Sequence, residues 1–127
     1  MKKIIALTLL IAGFASLATA QKPVITFEKK THDFGTVPST AGKISCVFEF
    51  TNTGNADLII PNVSATCGCT VPEWTKTPIA PNGKGSITVT YDATNRPGRI
   101  DKDITVSSNA GPNEVLKITG EVTLGEK

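Results

Sequence analysis

The cysteine pair in the stretch Thr66-Cys67-Gly68-Cys69-Thr70 is the most concentrated reactive chemistry in this sequence. Two thiols separated by one glycine can close a small disulfide, hold a soft metal ion or pack as two small apolar side chains. A disulfide needs the two Cα atoms within about 4.4 to 6.8 Å, which a tight turn at Gly68 allows and an extended segment scarcely does. The sequence leaves the three alternatives open.

Each alternative implies different chemistry. A bridge between Cys67 and Cys69 closes so short a loop that it removes little unfolded-state entropy, so it suits redox exchange better than stabilisation. A metal site would hold Cu(I) or Zn(II), which accept thiolate ligands. Structural zinc takes four ligands, and the single histidine, His32, is distant in sequence, so the missing ligands would have to come from a second chain.

The remaining alternative for the cysteines is packing, with Gly68 providing a backbone shape that other residues resist. Catalysis by a cysteine nucleophile needs a base within hydrogen-bond reach, and we interpret His32 as a polar loop residue before Asp33. We therefore predict that the protein is not an enzyme, with thiol redox activity as the alternative. The metal site, the disulfide and the packing role all remain hypotheses for Cys67 and Cys69.

Trp74 is the other residue near the cysteines that can recognise a partner. A large aromatic side chain either fills a core or anchors a binding surface. Burial in the core is the favoured interpretation. If Trp74 is exposed, it forms with Cys67 and Cys69 a contact surface at one end of the fold.

The N-terminal residues 1–20 have the three parts of a secretory signal. Lys2 and Lys3 form a basic region, an apolar run extends to about Leu17, and Ala18-Thr19-Ala20 is a small-residue cleavage site. The apolar run is shorter than the roughly 20 residues that a membrane-spanning helix needs. We predict a periplasmic or secreted protein that begins at Gln21 and has no membrane span.

The charge balance argues against nucleic acid as a partner. The predicted leader holds two of the thirteen basic residues and no acidic residue, so the remaining chain has eleven of each and no formal net charge. Binding to nucleic acid depends on Lys and Arg that neutralise phosphates, and the sequence has no basic run to do so.

The elements that must position these residues are β-strands. Residues 21–127 fit one domain and contain 34 Val, Ile and Thr against three Leu, a bias typical of strands. The clearest strand is 44–51, where Ile44, Cys46, Phe48 and Phe50 share one face. Cys46 is therefore predicted to be a small buried apolar residue. Turn residues at intervals of about ten predict about seven short strands in an immunoglobulin-like β-sandwich, with a small β-barrel as the alternative.

The other predicted strands and turns follow from the same alternation. Pro61 predicts an edge position or a bulge, and residues 31–37 are predicted to be rich in turns, with Phe34 and Val37 in contact with the core. The remaining predicted strands are 24–28, 58–65, a strand around 87–91, one around 104–106, and 115–124.

Several segments in order resemble the exported bacterial DUF1573 family. These are Phe34-Gly35-Thr36-Val37, Phe48-Glu49-Phe50-Thr51-Asn52-Thr53-Gly54, Cys67-Gly68-Cys69-Thr70, Ala80-Pro81-Asn82-Gly83 and Ile87-Thr88-Val89-Thr90-Tyr91. The resemblance covers about residues 25 to 122. It implies an immunoglobulin-like domain related in architecture to major sperm protein and to ciliary HYDIN-type domains, and it implies no biochemical activity.

These observations predict a non-catalytic module that binds another exported protein or has a structural role. Binding would use an exposed strand edge, by β-augmentation, or the region from Cys67 to Trp74. The alternative function is thiol chemistry at Cys67 and Cys69, either metal handling or redox exchange.

Overall fold

The computed structural model describes residues 21–124, which form two packed β-sheets. These residues contribute eight strands and one short 3-10 turn, Ser39–Ala41, and contain no α-helix. The strands are β1 (Ile25–Phe27), β2 (Thr31–Pro38), β3 (Lys43–Asn52), β4 (Asn62–Ala65), β5 (Thr70–Trp74), β6 (Lys84–Asp92), β7 (Gly98–Ser108) and β8 (Gly111–Thr123).

The eight strands divide equally between two sheets. Sheet A has the order β1-β3-β6-β5 and is antiparallel throughout. Sheet B has the order β2-β8-β7-β4, in which β2 runs parallel to β8 and the other pairs are antiparallel. The predicted all-β sandwich is confirmed.

The core lies between the sheets, where the predicted alternation of β3 is confirmed. Cys46, Phe48 and Phe50 are buried, and on the paired strand Ile87 and Val89 lie beside them. Cys46 is a free cysteine with 7% of its surface exposed, so its predicted role as a buried apolar residue is confirmed.

Two strands were not predicted, and both are edge strands. Residues 31–38, predicted as turns, form β2, which pairs with residues more than 80 positions later. Gly35, at φ +73°, lies in a bulge that separates the two paired parts of this strand. Residues 70–74 form β5 although Pro72 occupies its middle. Gly35 and Pro72 are residues typical of turns, so the sequence did not indicate strands at these positions. Edge strands tolerate such residues, which is why β2 and β5 can contain them.

The predicted strand 58–65 is shorter in the structure, where only Asn62–Ala65 is β4. β4 is one of the two edge strands of sheet B, so the predicted edge position of this strand is confirmed, although Pro61 lies just before β4 and not within it. Ahead of Pro61, Asn109 takes the place of a strand partner: its Oδ1 accepts the N–H of Ile59 at 2.9 Å, and its own N–H donates to the carbonyl of Ile59 at 3.1 Å.

Asn52 closes one end of sheet A from a fully buried position. Its Oδ1 accepts the N–H groups of Val24 (3.2 Å) and Gly54 (2.9 Å). Its Nδ2 donates to the carbonyls of Ala56 (2.7 Å) and Ile79 (2.9 Å). This one amide therefore satisfies four backbone groups from three separate segments. We call this region the Asn52 end.

The predicted signal peptide, 1–20, lies outside the described residues. Within residues 21–124, no helix has the length and apolar character needed to cross a membrane.

Candidate functional site

The cysteine pair lies where the chain crosses from sheet B to sheet A. β4 ends at Ala65 and β5 begins at Thr70, so residues 66–69 connect the edge strands of the two sheets. The structure joins Cys67 and Cys69 by a disulfide with their Cα atoms 5.3 Å apart. The N–H of Thr70 donates to the carbonyl of Cys67 at 3.2 Å and closes the turn. We call this region the disulfide end.

The two halves of the bridge differ in access. Cys69 is buried, with 6% of its surface exposed, whereas Cys67 is only partly buried. Each sulfur has a neighbouring polar group: the N–H of Cys69 donates to Cys67 Sγ at 3.1 Å, and the Thr70 hydroxyl lies 3.6 Å from Cys69 Sγ.

The interpretation that Gly68 supplies a backbone shape other residues resist is wrong. Its φ lies outside the left-handed region, and a Cβ at this position would have no atom within 4 Å. The open space beside Gly68 instead leaves the turn accessible from outside.

The single histidine lies far from the cysteines. His32 is on β2, at the edge of sheet B opposite to β4, and its ring centroid is 4.7 Å from that of Phe34. The loop interpretation of His32 is therefore wrong. Residues 21–124 hold no group of three His, Cys, Asp or Glu side chains placed to bind a metal ion. Metal binding at Cys67 and Cys69 stays a prediction.

Trp74 is half-buried and links the two edges of the sandwich. Its side chain packs against the core, and its indole N–H donates to the carbonyl of Ile60 at 2.9 Å. Lys76 Nζ lies 4.5 Å from the ring centroid. Because its N–H is bonded within the molecule, only part of the indole remains for a partner. The role of Trp74 as a partner contact stays a prediction.

A cleft of about 390 Å³ lies on the outer face of sheet A beside the disulfide. Gly68 and Cys69 form one end of it. Its other lining residues come from β3, β5 and β6, and we call them the β5 face: Lys43, Val71, Glu73, Thr90 and Asp92.

The β5 face combines an exposed apolar side chain with charged side chains. Val71 is 51% exposed. The hydroxyl and N–H of Thr94 donate to Asp92 and, together with the charges of Lys43 and Arg96, lower the pKa of its carboxyl. Asp92 is therefore ionised at neutral pH.

Sequence reasoning missed this face because its residues come from three strands. The signal was present once β5 was assigned, since Val71 and Glu73 alternate with the inward-facing Thr70, Pro72 and Trp74. Lys43 and Asp92 could be placed beside them only from the register between β3 and β6.

Residues 25–122 match the model of DUF1573, a family described as proteins of unknown function. The chain belongs to this family. The resemblance seen in the sequence is thereby confirmed. A comparison with curated proteins gave no match.

Solved structures share the fold at low identity. A protein of unknown function from Porphyromonas gingivalis W83 aligns with a TM-score of 0.69 and 20% identity, over 84% of this chain and 50% of that chain. The ASH / PapD-like domain 7 of human CEP192 aligns with a TM-score of 0.66 and 12% identity, over 94% of this chain and 99% of that chain. SSP-19, an MSP-domain protein like family member of Caenorhabditis elegans, aligns with a TM-score of 0.52 and 13% identity, over 77% of this chain and 98% of that chain. The DUF1573 chain thus spans half the length of the Porphyromonas protein, and its architectural likeness to major sperm protein is confirmed.

Proposed function

We propose that this DUF1573 protein is an exported, non-catalytic module that binds another polypeptide on its β5 face. The observation that carries the proposal is Val71, which is half exposed in the lining of a cleft that also contains the charged side chains of Lys43, Glu73 and Asp92. Protein interfaces combine a buried apolar part with a polar surround, and this cleft offers both. Glu73 and Asp92 outnumber Lys43, so the matching segment carries an apolar residue beside a basic one.

The edge strands of both sheets favour binding through the β5 face over binding by β-augmentation. β1 has three residues and β4 has four. A bulge at Gly35 interrupts β2, and Pro72 removes a backbone donor from the middle of β5. Short strands, bulges and prolines are the features by which natural sheets avoid pairing with further strands.

The outer face of sheet B offers a contrast in charge. Lys117 pairs with Asp101 at 2.7 Å and Asp103 at 2.8 Å, so both carboxylates already have a cationic partner within the molecule. On the β5 face, by contrast, Glu73 forms no ion pair with any residue in 21–124. Paired charges favour a solvated surface, whereas the unpaired carboxylate leaves a charge for a partner to meet.

Two exposed valines on opposite faces provide the test. Val71 is 51% exposed on the β5 face, and Val115, on the outer face of sheet B, is 49% exposed. A photoreactive amino acid at position 71 should crosslink a defined polypeptide in the compartment of origin, and one at position 115 should not. With that polypeptide purified, Val71→Lys should weaken binding at least roughly tenfold and Val115→Lys should leave it unchanged. Equal crosslinking, or equal affinity of the two variants, would reject the β5 face.

The disulfide supports a second candidate, redox exchange at Cys67 and Cys69. The bridge lies in an accessible turn and closes a loop too short to add much stability. Protein taken from its native compartment without reductant or chelator, thiol-blocked and weighed intact, should be two mass units lighter than the reduced form. Two freely alkylated thiols and no bound metal would reject both forms of thiol chemistry. Retained Cu(I) or Zn(II) would instead favour metal handling.

A further inference from the structure

We propose that the bridge exchanges in one direction: a cysteine thiolate of a partner polypeptide attacks Cys67 Sγ, and Cys69 is the leaving group. This inference rests on the redox candidate above and names its partner class, a polypeptide with a reduced cysteine. The product is a mixed disulfide between the partner and Cys67, with Cys69 released as a thiol.

Access selects Cys67 as the sulfur under attack. A thiolate must approach along the line of the S–S bond, so the sulfur that faces solvent is attacked faster. Cys67 is the partly exposed half, whereas Cys69 has only 6% of its surface exposed. A Cβ placed at Gly68 would have no atom within 4 Å, so the turn beside Cys67 is open at this position.

Each sulfur has a hydrogen-bonding group that can stabilise it as a leaving thiolate. The hydrogen bonds therefore do not oppose attack on Cys67, which its greater exposure favours. The N–H of Cys69 donates to Cys67 Sγ at 3.1 Å. The Thr70 hydroxyl, 3.6 Å from Cys69 Sγ, is in position to donate to the thiolate that forms there. Thr70 is itself buried, so little water competes for this contact. Thr70 therefore acts as a positioning residue for the departing sulfur.

The nucleophile has to come from outside the chain. The only other cysteine of the sequence, Cys46, is free and buried in the core. Its burial keeps it protonated, and a thiol without thiolate character does not attack disulfides. Internal reshuffling is thereby suppressed, and the bridge stays available to a partner.

The step balances without an added oxidant. The partner thiolate forms a bond to Cys67 Sγ, the Cys67–Cys69 bond breaks, and its electron pair passes to Cys69 Sγ, which takes a proton from solvent. A second thiol on the partner can then attack the mixed disulfide, leaving the partner oxidised and both Cys67 and Cys69 reduced.

The test is to locate the adduct. The oxidised full chain is mixed with a synthetic ten-residue peptide that has one reduced cysteine, quenched early with N-ethylmaleimide, and mapped by mass spectrometry. The peptide should be on Cys67 and the maleimide on Cys69, in roughly tenfold excess over the reverse arrangement. An equal mixture, the reverse arrangement, or no adduct while dithiothreitol reduces the bridge would each overturn the inference.

Variants separate the two contributions. Thr70→Val should slow peptide exchange several-fold, and Thr70→Ser, which retains the hydroxyl, should restore the rate; equal rates for all three proteins would overturn the role of Thr70. If Thr70→Val does not fold, single-cysteine chains decide the question. Cys69→Ser should react with a pyridyl-disulfide peptide at least roughly tenfold faster than Cys67→Ser. Native protein that never contains the bridge would remove the redox candidate itself, a result distinct from exchange at the wrong sulfur.

Discussion

The two ends of sheet A are closed in opposite ways. At the Asn52 end, one buried amide bonds to four backbone groups, and Gly54 has no room for a side chain because a Cβ would lie 2.2 Å from the carbonyl oxygen of Lys22. At the disulfide end, the turn contains an open glycine and the partly exposed Cys67, and its Gly68 and Cys69 border the cleft. The unusual residues at the Asn52 end are therefore tied into the backbone by hydrogen bonds and close packing, whereas Gly68 at the disulfide end has no such packing constraint.

The largest expected effect comes from removing the Asn52 amide. Asn52→Ala should lower the free energy of unfolding by about 3–5 kcal/mol, because it removes at once four hydrogen bonds from a fully buried amide to buried or partly buried backbone groups. Urea denaturation measures this. The control is Asn62→Ala at an exposed position of β4, where a change within about 0.5 kcal/mol is expected. Similar losses for the two variants would contradict the role of Asn52.

The free cysteine of the core, Cys46, should make the stability of the protein depend on pH. Burial raises the pKa of the Cys46 thiol from 9.0 to about 11. As the pH rises, the unfolded state therefore loses the Cys46 proton before the folded state does. The contribution of the protonated thiol to the free energy of unfolding is complete below about pH 9 and is lost as the pH rises through about 11. The wild type should lose about 2–3 kcal/mol more than Cys46→Ala across this range. Parallel stability curves for the two proteins would show that the thiol does not titrate as a buried group.

Adding one methyl group at each end compares their packing directly. Gly54→Ala should lower the free energy of unfolding by about 1–3 kcal/mol, because the Lys22 carbonyl must move. Gly68→Ala should change it by no more than about 0.5 kcal/mol, since its Cβ meets open space. Thermal or urea unfolding of both variants measures these changes. A larger loss of unfolding free energy for Gly68→Ala than for Gly54→Ala would reverse the comparison between the two ends.

Among the changes that should destabilise the protein, the smallest loss is expected from removing the bridge itself. Replacing both Cys67 and Cys69 by Ser should cost about 1–2 kcal/mol, because the entropic stabilisation by a disulfide shrinks with the length of the loop it closes. The matched measurement is unfolding of the wild type with and without reductant, which should give the same difference. A loss comparable to that of Asn52→Ala would make the bridge structural.

The fold was predictable where alternation in a single strand carries the information. Strand β3 shows it in Ile44, Cys46 and Phe48, and one buried face is enough to fix its register. Strand β2 was not predictable in this way, because its structure depends on pairing with β8 across most of the chain.

The candidate site was predictable only in part. The reactive pair, Cys67 and Cys69, is visible in the sequence as a motif. The β5 face is not, since Lys43 and Asp92 reach it through the register of two other strands. Asn52 also gave no signal, because a buried asparagine with four partners is indistinguishable in sequence from a turn asparagine.

The central position of β8 in sheet B has a consequence for folding. This last strand supplies the partner of both β2 and β7, so sheet B cannot assemble until residues 111–123 have been synthesised. Pairing of Thr31 with Lys117 also gives the domain a high contact order, which predicts folding on the slow, millisecond-to-second scale of β-sandwiches. A growing chain therefore remains without its native sheet B until β8 is available.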